Sequence, residues 1–155
     1  MRTTYDVGVD DLTSRETHDL LRLHLAGMHA SSPPGTVFAL DLSGLRIPEV
    51  TVWGARTGGR LAAIGALKML PDGSAEVKSM RTHPDFLRQG AARAILETII
   101  ATARERGVSR LSLETGSGEA FEPALAMYRR RGFRNGEPFS DYTASAFNQF
   151  LHLDL

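Results

Sequence analysis

Between Ala75 and Glu114 the hydrophobic period of the chain changes twice, and this constrains the fold more than any other feature. Ala75 to Thr82 reads as a strand. From Gly90 to Arg106, Ala92, Ile95, Leu96, Ile99, Ile100 and Ala103 recur at helical spacing, and Gly107 is placed to cap the helix in a left-handed conformation. Val108 to Glu114 returns to alternation. A strand, helix, strand unit of this length puts its two strands side by side and parallel, with the helix crossing one face.

The segments before this unit have a different character. Residues 4 to 9 form a short strand candidate, and Ser14 can cap a helix running to about Ala30. Ser31-Ser32-Pro33-Pro34-Gly35 stops it, and a short helical stretch from Asp41 to Leu45 follows. Val50 to Arg56 and the apolar run Leu61 to Leu70 flank Gly58-Gly59, which reads as a hairpin turn. Pro71-Asp72-Gly73-Ser74 turns the chain again into Ala75 to Thr82, completing an antiparallel meander. After the central unit come a helix from about Phe121 to Arg131, ended by Gly132, and strand candidates at Phe133 and Phe147 to Leu153. A meander joined to a parallel unit implies a mixed α/β domain over residues 1 to 155. Its sheet is mostly antiparallel, of six to seven strands, with helices on both faces.

Bulk numbers exclude several classes. The chain has 155 residues, enough for one domain with a real core. Lys plus Arg and Asp plus Glu number 18 each, so no basic excess marks a nucleic-acid binder. Arg129-Arg130-Arg131 falls in the last turn of a helix, where cations offset the dipole. With no cysteine, a disulfide, a thiolate nucleophile or a Cys-based metal site is excluded. The five histidines form no ligand motif, so no metal is expected. No apolar run reaches the roughly 20 residues of a membrane span. Met1 to Asp6 carries no apolar signal core, so the cytoplasm is the expected location.

The chemistry is concentrated where the strand ending at Thr82 meets the helix starting at Gly90. A helix start presents unpaired N–H groups and the positive end of its dipole, which suits a phosphate. Gly90 lets an anion approach, Ala91 and Ala92 keep the first turn thin, and Arg88 and Arg93 add charge. A helix start that needs small residues only for packing reads the same way. The segment has neither the Lys-Ser/Thr of a P-loop nor the three spaced glycines of a dinucleotide fingerprint.

These residues and the element order resemble the GCN5-related N-acetyltransferases. That family's diphosphate signature, Arg/Gln-x-x-Gly-x-Gly/Ala, falls here on Leu87-Arg88-Gln89-Gly90-Ala91-Ala92. Leu87 departs from it, and the basic and amide groups stand one and two positions later. Glu-Val-Lys-Ser-Met-Arg-Thr, Leu-Glu-Thr-Gly-Ser and Asp141-Tyr142 also resemble a bacterial branch described only as acetyltransferases.

The resemblance implies acetyl-CoA as cosubstrate, no metal, and a primary amine as acceptor. It implies a bulged strand that splays from its parallel neighbour, so that backbone groups of Met80, Arg81 and Thr82 pair with the pantetheine arm. Leu87, Arg88, Gln89, Gly90, Ala91, Ala92 and Arg93 would hold the diphosphate. Glu76 would act as the base that deprotonates the acceptor ammonium, directly or through water. Tyr128, in Tyr-x-x-x-Gly-Phe with Gly132-Phe133, would protonate the leaving thiolate. The family's asparagine after the fifth strand is replaced by Glu114-Thr115-Gly116-Ser117, so Thr115 or Ser117 stands in for it, or the contact is missing. Glu114, Thr115 and Tyr142 are the candidates for contact with the acceptor, and the acceptor regions, roughly residues 20 to 48 and 136 to 150, hold Phe38, Phe139, Asp141, Tyr142 and Phe147. A small-molecule amine is the expected acceptor. A protein N-terminus or lysine, and a CoA-binding module without catalysis, are the alternatives. A homodimer is compatible with the resemblance.

Overall fold

In the computed structural model, which describes residues 3–37 and 40–155, the chain forms a seven-stranded sheet clad on both faces by helices. Phe38 lies outside the described residues, as do Met1 and Arg2. The elements in order are β1 (Asp6–Val9), α1 (Arg15–Ser31), α2 (Leu42–Leu45), β2 (Val50–Thr57), β3 (Arg60–Met69), β4 (Ala75–Thr82), α3 (Ala91–Glu105), β5 (Arg110–Thr115), α4 (Glu122–Arg131), β6 (Arg134–Asn135) and β7 (Gln149–Asp154). The sheet order is β1-β2-β3-β4-β5-β7-β6, and only the β4–β5 pair is parallel. The expected mixed, mostly antiparallel architecture is therefore present. Phe133, an expected strand residue, instead packs in the core just before the two-residue β6.

Local chemistry sets the boundaries. Ser14 accepts from the backbone N–H of Thr17 and starts α1, and Asp41 does the same for α2 through Gly44. Gly58 and Gly59 turn the β2–β3 hairpin with φ of 56° and 77°, angles that carry no Cβ penalty in glycine. Gly107 (φ 75°) follows α3 and Gly132 (φ 109°) ends α4.

The core lies in two layers. On one face, Trp53, Ala55, Ala63, Leu67 and Val77 meet Ile95, Leu96, Ile99 and Ile100 of α3, with Leu125 and Tyr128 of α4 in the same cluster. On the other face, Val52, Leu61, Ile64 and Ala66 meet Leu20 and Leu21 of α1 and Leu45 of α2. Burial on both faces explains why β3 reads as an almost unbroken apolar run instead of an alternating one.

One irregularity in the ladder positions everything that follows. β3 and β4 pair Ile64 with Arg81 and Ala66 with Lys78, so Gly65 alone opposes both Ser79 and Met80. This is a β-bulge. Ser79 sits at φ 56°, a left-handed conformation that costs a non-glycine residue about 1 kcal/mol or more. Gly65 makes the room. A Cβ there would stand 2.4 Å from Met80 Sδ and 2.5 Å from Ile95 Cγ2. Gly65→Ala is therefore expected to lower the stability of the fold by about 1–3 kcal/mol through overpacking, read as a drop in the urea midpoint with an unchanged m-value.

Candidate active site

The parallel ladder between β4 and β5 is short. It pairs Ala75 with Leu111 and Glu76 with Ser112, and there it ends. Past the bulge β4 follows β3, whereas β5 stays bonded to β7 from Arg110–Asp154 to Thr115–Gln149. The two strands diverge and leave a wedge between them. The wedge is a cleft of about 200 Å³, walled by residues of α1, β4, β5 and α4. That is smaller than the roughly 300–1,000 Å³ of an ordinary small-molecule pocket, so it suits the reacting end of a ligand. The β4 edge that would have paired with β5 faces this space, with its backbone free to accept an extended ligand arm as an added strand.

The cleft collects Glu76, Met80, Arg81, Glu114, Thr115 and Tyr128. Leu87 to Arg93 lie outside it, in the turn after β4 and the first turn of α3, and Thr82 sits between the two regions. Ser117 is not in the cleft wall. Its hydroxyl accepts from Gln149 Nε2 at 3.0 Å, which leaves Thr115 as the one of the two facing the wedge.

A largely buried triangle of polar groups adjoins the cleft: Glu76 and Lys78 line it, and Tyr142 stands behind them, outside the lining. Lys78 Nζ donates to Glu76 Oε2 at 3.1 Å and to the Tyr142 hydroxyl at 2.8 Å, and Tyr142 donates to Glu76 Oε2 at 2.5 Å. Glu76 and Lys78 are two residues apart on one strand and therefore share a face. Tyr142 arrives from the long segment between β6 and β7, so it ties that segment to β4. Burial, then the charge and hydrogen bond of Glu76, then the charge of Glu114, push the Tyr142 phenol well above its ordinary range.

Glu114 is in the opposite condition. Burial pushes its carboxyl up to about 7; the charge of Lys78 opposes this, that of Glu76 adds to it, and a hydrogen bond from Asn148 opposes it. It therefore changes charge near neutral pH. Tyr128 is buried against Phe133, with ring centroids 5.6 Å apart, and burial raises its phenol well above the free value. Its hydroxyl has no hydrogen-bond partner among the described residues. The phenol thus keeps its proton through the physiological range and has it available for a ligand.

Lys78 and His24 escape a reading of the sequence alone. Lys78 could have been found from its period-two relation to Glu76. His24 gives no such signal, because its partner Arg81 is 57 residues away. Arg81 Nε donates to His24 Nδ1 at 3.0 Å. Burial, then Arg81 and Lys78, push the imidazole down to about 4, so it is neutral and carries its proton on Nε2.

The turn before α3 has the features of an anion cradle. Arg88 (φ 61°) and Gly90 (φ 86°) both take left-handed conformations ahead of the helix. α3 has no side-chain cap, unlike α1 and α2, whose caps are Ser14 and Asp41, and no acidic residue in its first turn. Its first N–H groups therefore face outward without an internal acceptor. Arg88, Gln89, Gly90 and Arg93 are exposed, and so is Leu87, which does not line the cleft. The residues present fit a thioester cofactor with a diphosphate. They offer an open strand edge, an uncapped helix start, and in Ser79 a buried cleft hydroxyl with no partner among the described residues. Among those residues no group of side chains could hold a metal ion, and no helix is long and apolar enough to cross a membrane.

Comparison with known proteins gives a consistent result. The model of the acetyltransferase (GNAT) family matches residues 17–133. An uncharacterised N-acetyltransferase of Bacillus subtilis, YsnE, is 48% identical over 94% of this chain and 96% of its own length. YedL, an uncharacterised N-acetyltransferase of Escherichia coli, is 44% identical over 97% and 95%. A Klebsiella pneumoniae crystal structure assigned as an acyl-CoA N-acyltransferase superposes with a TM-score of 0.83, at 25% identity over 98% of both chains.

The raised Glu114 carboxyl has a consequence for stability. An acid whose folded value of about 7 exceeds its unfolded value near 4.5 makes the native state bind the extra proton between these limits. Its effect on stability is favourable below that window and declines as pH rises through 7. Glu114→Gln is expected to remove this decline. Thermal midpoints of variant and parent should agree most closely near pH 5, with the variant gaining relative to the parent by pH 8.

Proposed function

The chain belongs to the acetyltransferase (GNAT) family, and on that premise we propose that it transfers the acetyl group of acetyl-CoA to the primary amine of a small molecule, by direct attack in a ternary complex. The observation that carries this reading is the wedge between β4 and β5. It brings a protonated phenol and two carboxyls next to an open strand edge. Bound acetyl-CoA supplies an activated acyl thioester. The remaining chemistry falls to side chains and backbone of this protein.

The backbone of Met80, Arg81 and Thr82 would pair with the pantetheine arm, and Leu87 to Gly90 with the first turn of α3, Ala91 to Arg93, would hold the diphosphate. This orients the thioester carbonyl in the cleft, and orientation of this kind can supply much of the rate. An amine enters as an ammonium with a pKa near 10 and must lose a proton before its lone pair can attack. Two carboxyls are at hand. Glu76 has one oxygen occupied by both Lys78 and Tyr142. Glu114 is poised near neutrality and is the one we assign as proton acceptor, with Glu76 holding Lys78 and Tyr142 in place and lending its charge to the upward push on Glu114. The thiolate departs as the carbon–sulfur bond breaks, and Tyr128 donates its proton to that sulfur, whose free thiol has a pKa near 8.5.

A small acceptor is supported by the narrowness of the cleft and by Tyr142, which reaches Glu76 from the segment over the acceptor side. Thr115, on the wall beside Glu114, completes the acceptor contacts.

Thiol release from acetyl-CoA across a panel of primary amines tests the reading. Tyr128→Phe should lower kcat about 100-fold or more and leave acetyl-CoA affinity by calorimetry unchanged, while equal loss of both would make the hydroxyl a binding group. The parent's kcat/KM should rise with pH through an inflection near 7, and Glu114→Gln should abolish that limb. Gly90→Glu, which places a carboxylate and a strained backbone at the cradle, should weaken acetyl-CoA binding at least tenfold. Tight acetyl-CoA binding with no thiol release for any amine would leave a non-catalytic acyl-CoA-binding module.

A further inference from the structure

The cleft contains one charge that the mechanism does not use. Arg81 extends from β4 toward α1 and is half-buried there, and the only perturbation on its guanidinium is desolvation. No carboxylate among the described residues pairs with it. Its protein partners are the neutral His24 ring, through Nε, and the His24 carbonyl, 3.4 Å from Nη2. A guanidinium has five N–H donors, and these contacts engage two. Arg81 lines the cleft together with Gly27, and Lys78, also in the lining, already bonds Glu76 and Tyr142.

The fold makes room for this cation. Gly27 occupies an interior position of α1, where glycine is a poor helix former. A Cβ there would stand 3.0 Å from Arg81 Nη2 and 3.4 Å from Nη1. The missing side chain lets the forked end of the guanidinium lie against the helix with its plane fixed by His24. A desolvated cation left without a counter-charge is costly, and an anionic ligand is what would offset it.

The cleft as a whole is thus polarised. Glu76 and Glu114 are set toward β5 and the segment from Glu137 to Asn148, and Arg81 toward α1. We propose that the acceptor is a small primary amine that also bears a carboxylate, and that Arg81 binds that carboxylate while the amine faces Glu114. This rests on the acetyltransferase reading and narrows it to amino-acid-like acceptors. A forked guanidinium and a carboxylate form paired, charge-assisted hydrogen bonds that an amide or a second ammonium cannot reproduce. Polyamines are disfavoured for the same reason, since their second cation would meet Arg81.

The test is steady-state thiol release with matched acceptors: glycine and ω-amino acids up to 6-aminohexanoate, the amide of each, and putrescine as a diamine. The carboxylates should exceed their amides in kcat/KM by roughly 10- to 100-fold at the favoured spacing. Arg81→Gln should erase that preference by raising the KM of the carboxylate acceptors selectively over that of their amides, and Arg81→Lys should restore part of it. Gly27→Ala supplies a variant whose helix is favoured, so loss of folding does not account for its phenotype. Its Cβ crowds the guanidinium, and it should raise the carboxylate acceptor KM while sparing the amides. Amides or putrescine turning over as well as the amino acids would overturn this inference and leave the enzyme reading intact. So would an Arg81→Gln defect equal for every acceptor. Silence of all amines with acetyl-CoA bound would bring down the acetyltransferase reading itself.

Discussion

The divergence of β4 from β5 after Glu76 and Ser112 is the constraint on which the rest of the molecule depends. Two parallel strands normally satisfy each other's backbone groups along their whole length. Here one strand is held by β7 and the other is redirected by a bulge, so hydrogen-bonding capacity is withheld from the sheet and left in a cleft. The bulge is sustained by its neighbours. Ser79 holds a left-handed conformation because Gly65 gives space across the ladder and because Met80 and Ile95 fill that space from the α3 side. The strain lies in the wall of the cleft, and the large apolar layer under α3 holds it there.

Charge is arranged with the same economy. The formal net charge is zero, yet the cleft separates carboxyls from a guanidinium, and the turn before α3 has basic groups without an acidic residue in the first helical turn. Burial then acts differently on each group. It keeps Tyr128 protonated, keeps His24 neutral and brings Glu114 near neutrality. Three side chains with unlike ordinary values are thereby held in three different protonation conditions by one cause, with neighbouring charges adjusting the result.

Much of this was legible in the sequence. Periodicity and turn residues placed β4 from Ala75 to Thr82, and Ser14, Gly107 and Gly132 fixed helix ends to within a residue or two. The resemblance brought out Gly90, Glu76 and Tyr128, because they belong to local patterns of a few residues. The bulge was legible only by analogy, since Ser79 does not advertise a positive φ. The Glu76–Lys78–Tyr142 triangle and the His24–Arg81 pair were hidden for a different reason. They join residues 66 and 57 positions apart, and no local propensity encodes such a meeting. The exposed Leu87 has no contact that explains why it stands where the family places a basic or amide residue.

The opposite sides of the wedge draw on different kinds of contact. In the proposed reaction the acyl donor is served largely by main chain and by the start of α3, whereas the acceptor is served by side chains from α1, β5 and the segment carrying Tyr142. Substitutions at His24, Gly27, Thr115 or Tyr142 can therefore alter which nucleophile is admitted without rewriting the donor cradle. A lineage built on this plan can diversify its acceptors by drift along one helix and one loop, while inheriting its acyl chemistry through a backbone path that point mutations barely touch.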